Sequence, residues 1–127
     1  MSLSAAHSAA FRREVPREGR VWSIRDAVGH PAPADPAGRR AMPFWSKSSR
    51  AERVVGAVAA YRSFDVVEIP VDDWLDSWLP GLQNDGLLVG VNWAGARATG
   101  FDLTPAQVAG WFAEPRAETF SGSPRDR

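Results

Sequence analysis

Hydrophobic and polar positions along this chain switch between two periods, one near 3.6 residues and one of two, and the switches mark its elements. Between residues 46 and 62 the apolar Ala51, Val54, Val55, Val58 and Ala59 fall at i, i+3, i+4, i+7 and i+8, which predicts a helix with one buried face. Ser46 or Ser48 is placed to cap its first turn. A second stripe runs through Val71, Trp74, Leu75, Trp78, Leu79 and Leu82, with Asp72, Asp73, Asp76 and Ser77 on the opposite side. Pro80 is expected to kink or end that helix, because it has no N–H to give and its ring crowds the preceding turn. Asp85-Gly86 then marks a turn, and residues 87–92, nearly all apolar, read as a central strand. Residues 97–101 read as its hairpin partner beyond a turn at residues 93–96.

The flanks are equally patterned. Residues 4–15 predict a short helix ended by Val15-Pro16, since the residue before a proline avoids the α region. Residues 20–26 and 65–69 read as strands, as do residues 41–45, where Pro43 fits an edge or a strand end. Residues 29–38, with three prolines and two glycines, are a loop and the expected mobile segment. The last helix has the clearest start: Thr104 at the N-cap, Pro105 at N1, Gln107 completing a capping box, and a Leu103–Val108 staple. Val108, Trp111 and Phe112 are its core face, and the chain from Glu114 onward reads as a disordered polar tail. The order β-α-β-α-β over residues 41–92 implies parallel strands joined by right-handed crossovers. The fold class is therefore α+β: a small mixed sheet of about four or five strands, with a C-terminal hairpin and helices packed on it. The domain is residues 11–113, preceded by a flexible or briefly helical 1–10 and followed by the tail 114–127.

Composition narrows the picture. A chain of 127 residues is one domain by length and buries enough surface to fold without staples. It has no cysteine, which excludes disulfides and thiolate metal sites. No apolar run reaches the roughly 18 residues of a membrane span, and residues 1–10 lack the basic start and apolar run of a secretory signal, so the expected location is cytoplasmic. Net charge is zero, yet residues 1–63 carry 11 Lys/Arg against 5 Asp/Glu and residues 64–127 carry 4 against 10. The zero total argues against nucleic acid as a partner. The asymmetry leaves three uses open: pairing within the chain, pairing between two copies, or steering of a protein with a basic surface.

Two segments together carry a resemblance. One is M-P-F-W-S-K-S-S-R-A, from Met42 to Ala51. The other begins at Asp73-Trp74-Leu75 and passes through Trp78-Leu79, Leu82 and Asp85-Gly86 to Gly90-Val91. Over roughly residues 11–112 the chain resembles DUF2750, a family of small bacterial proteins of unknown function; the Pro-rich loop at residues 29–38 is longer than that pattern. The resemblance implies a bacterial cytoplasmic α+β protein and brings no catalytic residue with it.

Candidate chemistry is sparse. Asp72, Asp73 and Asp76 share one helical side, suited to a basic partner, though such residues ordinarily form a solvated face. Ser46, Lys47, Ser48, Ser49, Arg50 and Arg53 open a helix with hydroxyls, cations and free N–H groups, an arrangement for an anion, but without the glycines of a phosphate loop. Trp45 and Trp93 end strands, where an indole can border a cleft. Trp74, Trp78 and Trp111 sit at core spacing. The two histidines, His7 and His30, give no metal-ligand spacing, and a Ser–His–Asp arrangement would need His30 to dock beside a serine on a strained turn. Gly86, Gly90, Gly95 and Gly100 do not match a dinucleotide fingerprint. No cofactor and no metal site is called. The leading reading is a non-enzymatic protein-binding domain, adaptor-like or immunity-like, using Asp72, Asp73, Asp76, Trp45 and Trp93. The alternative is a small-ligand or anion-binding domain using the helix start at residues 46–53 and the strand-end tryptophans.

Overall fold

The structure, a computed structural model, describes residues 3–95 and 98–119. Helix α1 (Leu3–Glu18) leads to strand β1 (Arg20–Arg25), and the Pro-rich loop to β2 (Ala41–Phe44). Helix α2 (Ser48–Ala57) and a 3-10 turn (Ala59–Tyr61) precede β3 (Asp65–Pro70). Helix α3 follows as three continuous segments, Val71–Asp73, a π turn over Trp74–Trp78, and Leu79–Asn84. Strands β4 (Leu88–Ala94) and β5 (Thr99–Leu103) form the hairpin, and α4 spans Pro105–Thr119. Ala96 and Arg97 of the expected turn and strand start, and residues 120–127 of the expected tail, lie outside the described residues; residues 114–119, expected to begin that tail, continue α4 instead.

The class expected from the sequence is observed; the strand order is more interleaved than the β-α-β-α-β pattern implied. β4 is central to one sheet, parallel to β2 and antiparallel to β5, whereas β3 pairs antiparallel with β1 in a second, two-stranded sheet. One antiparallel bridge joins the two sheets, Trp22 and Trp45 exchanging both backbone bonds at 2.8 Å. Pro43 accounts for the break there. Two residues before Trp45 it faces β1 with no N–H, so the ladder cannot extend toward Ile24. The Ile24 carbonyl is met instead by His30 Nδ1 at 3.1 Å, which draws the Pro-rich loop onto β1.

Helices cover both faces. Phe11 and Val15 of α1, Trp74, Leu79 and Leu82 of α3, and Val108 of α4 pack with Val21, Phe44, Ile69, Val89 and Val91. Ala51 and Val54 of α2 pack on the other side with Ile24, Ala41, Trp45, Tyr61, Trp93 and Ala98. The Thr104–Gln107 capping box forms as expected, with bonds of 2.9 and 3.1 Å.

Three local expectations are corrected. Pro16 does not end α1; Phe11 and Val15, both 0% exposed, anchor the helix on either side of the one lost backbone bond. The helix closes at Gly19, whose φ of +72° and N–H to the Val15 carbonyl (2.9 Å) suit a glycine. Pro80 does not end α3 either. The helix widens one turn earlier, where the Leu79 N–H reaches back five residues to the Trp74 carbonyl, relieving the crowding a proline imposes. Neither Ser46 nor Ser48 caps α2: its N-cap is Lys47, with no side-chain cap bond, because the Ser46 hydroxyl is engaged elsewhere.

Trp93 sits on the face opposite the one strict alternation with Val89 and Val91 would give it. A bulge between Val91 and Ala94, with Asn92 at φ +49°, turns it over. Its indole then lies across Gly90 and Gly100, where an added Cβ would come within 2.5 and 2.8 Å of the ring. Gly90→Ala should therefore destabilise the protein by about 1–3 kcal/mol, as overpacking does. Urea melts monitored by tryptophan fluorescence would measure this, with Gly56→Ala, which meets nothing within 4 Å and lies in α2, as a comparison expected to stabilise slightly.

Candidate functional site

The residues singled out from the sequence fall in three places. Asp72, Asp73 and Asp76 are exposed on α3, as their pattern implies. Trp45 is not a rim residue: it is 0% exposed, and its Nε1–H donates to the Trp93 carbonyl at 2.8 Å. The bulge frees that carbonyl from the ladder, and the Trp45 indole takes it into the core.

The start of α2 already holds an anion, and it is internal. Glu14, on α1, accepts from the Ser46 hydroxyl at 2.6 Å and from Arg50 through both carboxylate oxygens, at 3.0 and 2.8 Å. Asn92 completes the cluster: its Oδ1 accepts from the Ser46 backbone N–H at 3.0 Å, and its Nδ2 donates to Ser46 Oγ at 2.9 Å. Lys47 pairs with Glu18 at 3.7 Å. Of the remaining candidates, Ser49 and Arg53 are exposed and Ser48 is half-buried. Burial alone would raise the Glu14 pKa. The Arg50 and Ser46 bonds, with the charges of Arg50 and Lys47, outweigh it and hold the carboxyl below its ordinary value. Glu14 escaped the sequence reading because it stands among arginines. The signal was its spacing: it shares the stripe of Ala10, Phe11 and Val15, all of them buried.

His30 does dock beside a serine, with Ser23 Oγ at 2.8 Å from Nδ1. Ser23 lies in β1 at 0% exposure, so no substrate reaches it. Burial first, then repulsion from Arg25, lowers the His30 pKa against its bond to the Ile24 carbonyl. His30 serves to seat the loop, its ring edge-on to Trp78 at 5.0 Å. Among the described residues no group of three His, Cys, Asp or Glu is placed to hold a metal ion.

A cleft remains beside the bulge, about 320 Å³, between the Pro-rich loop, the 3-10 turn and the β4–β5 hairpin. Trp93 and Tyr61 give it aromatic walls; Asp102, Asp35 and Arg39 give it charge. Asp35 and Arg39 are committed to each other, with Arg39 Nε and its guanidinium each 3.0 Å from Oδ2. Asp35 Oδ1 also closes the turn by accepting the Ala37 and Arg39 N–H groups at 2.9 Å. Asp102 accepts from the Trp93 Nε1–H at 2.8 Å. Burial against the hairpin pushes the Asp102 pKa up, Asp35 adds to the rise, and the Trp93 N–H and Arg39 oppose it without reversing it. Tyr61, 9% exposed, is also pushed up by burial. Of the tryptophans expected at a rim, only Trp93 reaches this cleft. The sequence reading missed Asp102, Tyr61 and Arg39.

A family model described as "Protein of unknown function (DUF2750)" matches residues 8–110. No curated protein and no solved structure matches the chain.

The Glu14 cluster ties α1 to the start of α2 and to the bulge, so its loss should be felt globally. Glu14→Gln should cost about 3 kcal/mol, the lower end for a broken buried pair because Arg50 keeps 31% of its side chain in solvent. The folded-state pKa is depressed, so the carboxylate's contribution is fully present above its ordinary value of 4.5 and is lost as pH falls through the folded value. Chemical denaturation across acidic pH should show wild type and Glu14→Gln converging below that value and parallel near neutrality.

Proposed function

We propose that this chain, which belongs to the DUF2750 family, is a binding domain whose cleft beside the β4 bulge takes a small organic cation with a flat apolar part. The observation that carries this reading is a carboxylate without a cation of its own. Arg39 is held by Asp35 at 3.0 Å, so Asp102 faces the cleft with one indole N–H as its described donor. An ammonium, amidinium or guanidinium group would answer that charge, and the small exposed parts of Trp93 and Tyr61, 6% and 9% of each residue, offer apolar contact to the rest of the molecule. A volume near 320 Å³ lies at the small end of ligand sites.

Titration calorimetry with benzamidine and its neutral analogue benzamide tests it. Wild type should prefer the cation by about tenfold or more, the worth of one charge-assisted bond, and Asp102→Asn should lose the preference while keeping its melting temperature. Because the Asp102 pKa is raised, binding should weaken as pH falls through that raised value, the protonated acid having no charge to offer. Equal affinity for the two probes would sink the reading.

One observation favours a second reading, recognition of a protein with a basic surface. Asp72, Asp73 and Asp76 are exposed and carry no ion pair among the described residues. The Asp72→Asn/Asp73→Asn/Asp76→Asn variant should keep a melting temperature within a few degrees of wild type and lose a partner that wild type captures from lysate.

A further inference from the structure

An open groove of about 680 Å³ lies on the side of the sheet away from the cleft. It is walled by Val15 and Pro16 of α1, Val71 and Leu75 of α3, and Trp111 and Phe112 of α4. All six are apolar, and Val71, Leu75, Trp111 and Phe112 are only half-buried. Its two banks carry opposite charge. On the α1 bank are Arg12, Arg13 and Arg17, all exposed, with Arg12 stacked over the Trp111 ring at 5.1 Å. On the α3 bank are Asp72 and Asp76, one position on from Val71 and Leu75, with Asp73 behind them.

The charge asymmetry of the chain is not used across this gap. Among the described residues Arg20–Glu68, at 3.0 Å, is the ion pair that joins the basic half to the acidic half; the other four lie within the basic half. The three arginines of the α1 bank make no ion pair with the three aspartates of α3.

We infer that this groove is the interface of a homodimer. The reasoning is one of symmetry. When two copies meet face to face about a two-fold axis running along the groove, each bank is set against the opposite bank of the partner. Arg12, Arg13 and Arg17 then face the partner's α3 carboxylates, the partner's arginines face Asp72 and Asp76, and the apolar walls are shielded from bulk solvent between the paired banks. A face with exposed arginines on one bank, exposed aspartates on the other and apolar walls between them is complementary in charge to itself; a partner of one sign would satisfy half of it. This rests on the reading of α3 as a protein-binding face and commits that face to one partner, a second copy of the chain.

Sedimentation equilibrium on the full chain tests it with two charge-reversed variants, Arg12→Glu/Arg13→Glu and Asp72→Lys/Asp76→Lys. Wild type should sediment at twice the chain mass. Each variant alone, folded by circular dichroism, should sediment at the chain mass, because both its banks then carry net charge of the same sign. An equimolar mixture should return to twice the chain mass, since every bank again meets its opposite. A monomeric wild type overturns the inference, as does a dimer that either reversal leaves intact or a mixture that stays monomeric. If wild type is monomeric, the lysate capture decides the broader reading separately: capture that needs the α3 aspartates keeps the face and removes only the self-partner, and no capture removes both.

Discussion

The extra residue in β4 is the constraint on which the rest of this molecule depends. A strand that kept strict alternation would send Trp93 to the side of Val89 and Val91, into a core already filled by α1, α3 and α4. The bulge instead divides two consecutive residues between the two faces. Asn92 turns toward α1 and the start of α2, where it bonds Ser46, and Trp93 turns toward α2 and the cleft. Left-handed backbone costs an ordinary L-residue about 1–2 kcal/mol, and asparagine is among the residues that tolerate it best. The conformation is held from both sides, by the Asn92 amide on Ser46 and by the Trp45 indole on the Trp93 carbonyl. Gly90 and Gly100 are the matching vacancy, two positions whose lack of a side chain lets the displaced ring lie flat.

Around this bulge the chain spends its polar side chains in an unexpected way. A helix start rich in serine and arginine looks like a site for an external anion, and a carboxylate does occupy it, but from α1. Glu14 comes within hydrogen-bond reach of Ser46 and Arg50, residues 32 and 36 positions away in sequence. An anion entering from solvent would have to displace an internal one that is already bidentate, so the Ser46–Arg50 cluster is architecture, and the chemistry free for binding lies elsewhere. The same logic applies to His30 and Ser23, whose contact seats a loop over the carbonyl that Pro43 cannot serve.

What could be read from the sequence was whatever depends on neighbours within a few positions. The face of α3, the Thr104–Gln107 cap and the hairpin follow from spacing and are present; the face of α2 is present through Ala51 and Val54, but Val58 and Ala59, expected to continue it, lie past the helix end at Ala57, with Val58 extended and Ala59 exposed. The reading failed where a distant contact outweighs a local rule. Pro16 disfavours helix locally, yet Phe11 and Val15 are buried whether or not one backbone bond is lost. Trp45 ends its strand, yet the bridge to Trp22 and the bond to Trp93 place it in the centre. β3 follows the β-α-β pattern in sequence but pairs along the edge of β1 that faces away from β2, while the N–H gap at Pro43 holds the β1–β2 contact on the other edge to one bridge. Of the cleft only Trp93 was visible in advance. Asp102 and Gly100 share a strand face, but that face becomes a cleft only once the bulge brings Trp93 over it.

The two surfaces, cleft and groove, lie on opposite sides of the sheet and share one hydrogen-bonded route. It runs from Glu14 on α1 through Ser46 to Asn92, and the next residue, Trp93, forms a wall of the cleft. Contiguity of this kind gives a path without giving a coupling. Coupling requires an element with two arrangements that both surfaces bias. The bulge is held in one, by the Asn92 amide on Ser46 and by the Trp45 indole on the Trp93 carbonyl. On that ground the groove and the cleft are expected to act independently, and a ligand in one should leave the affinity of the other unchanged.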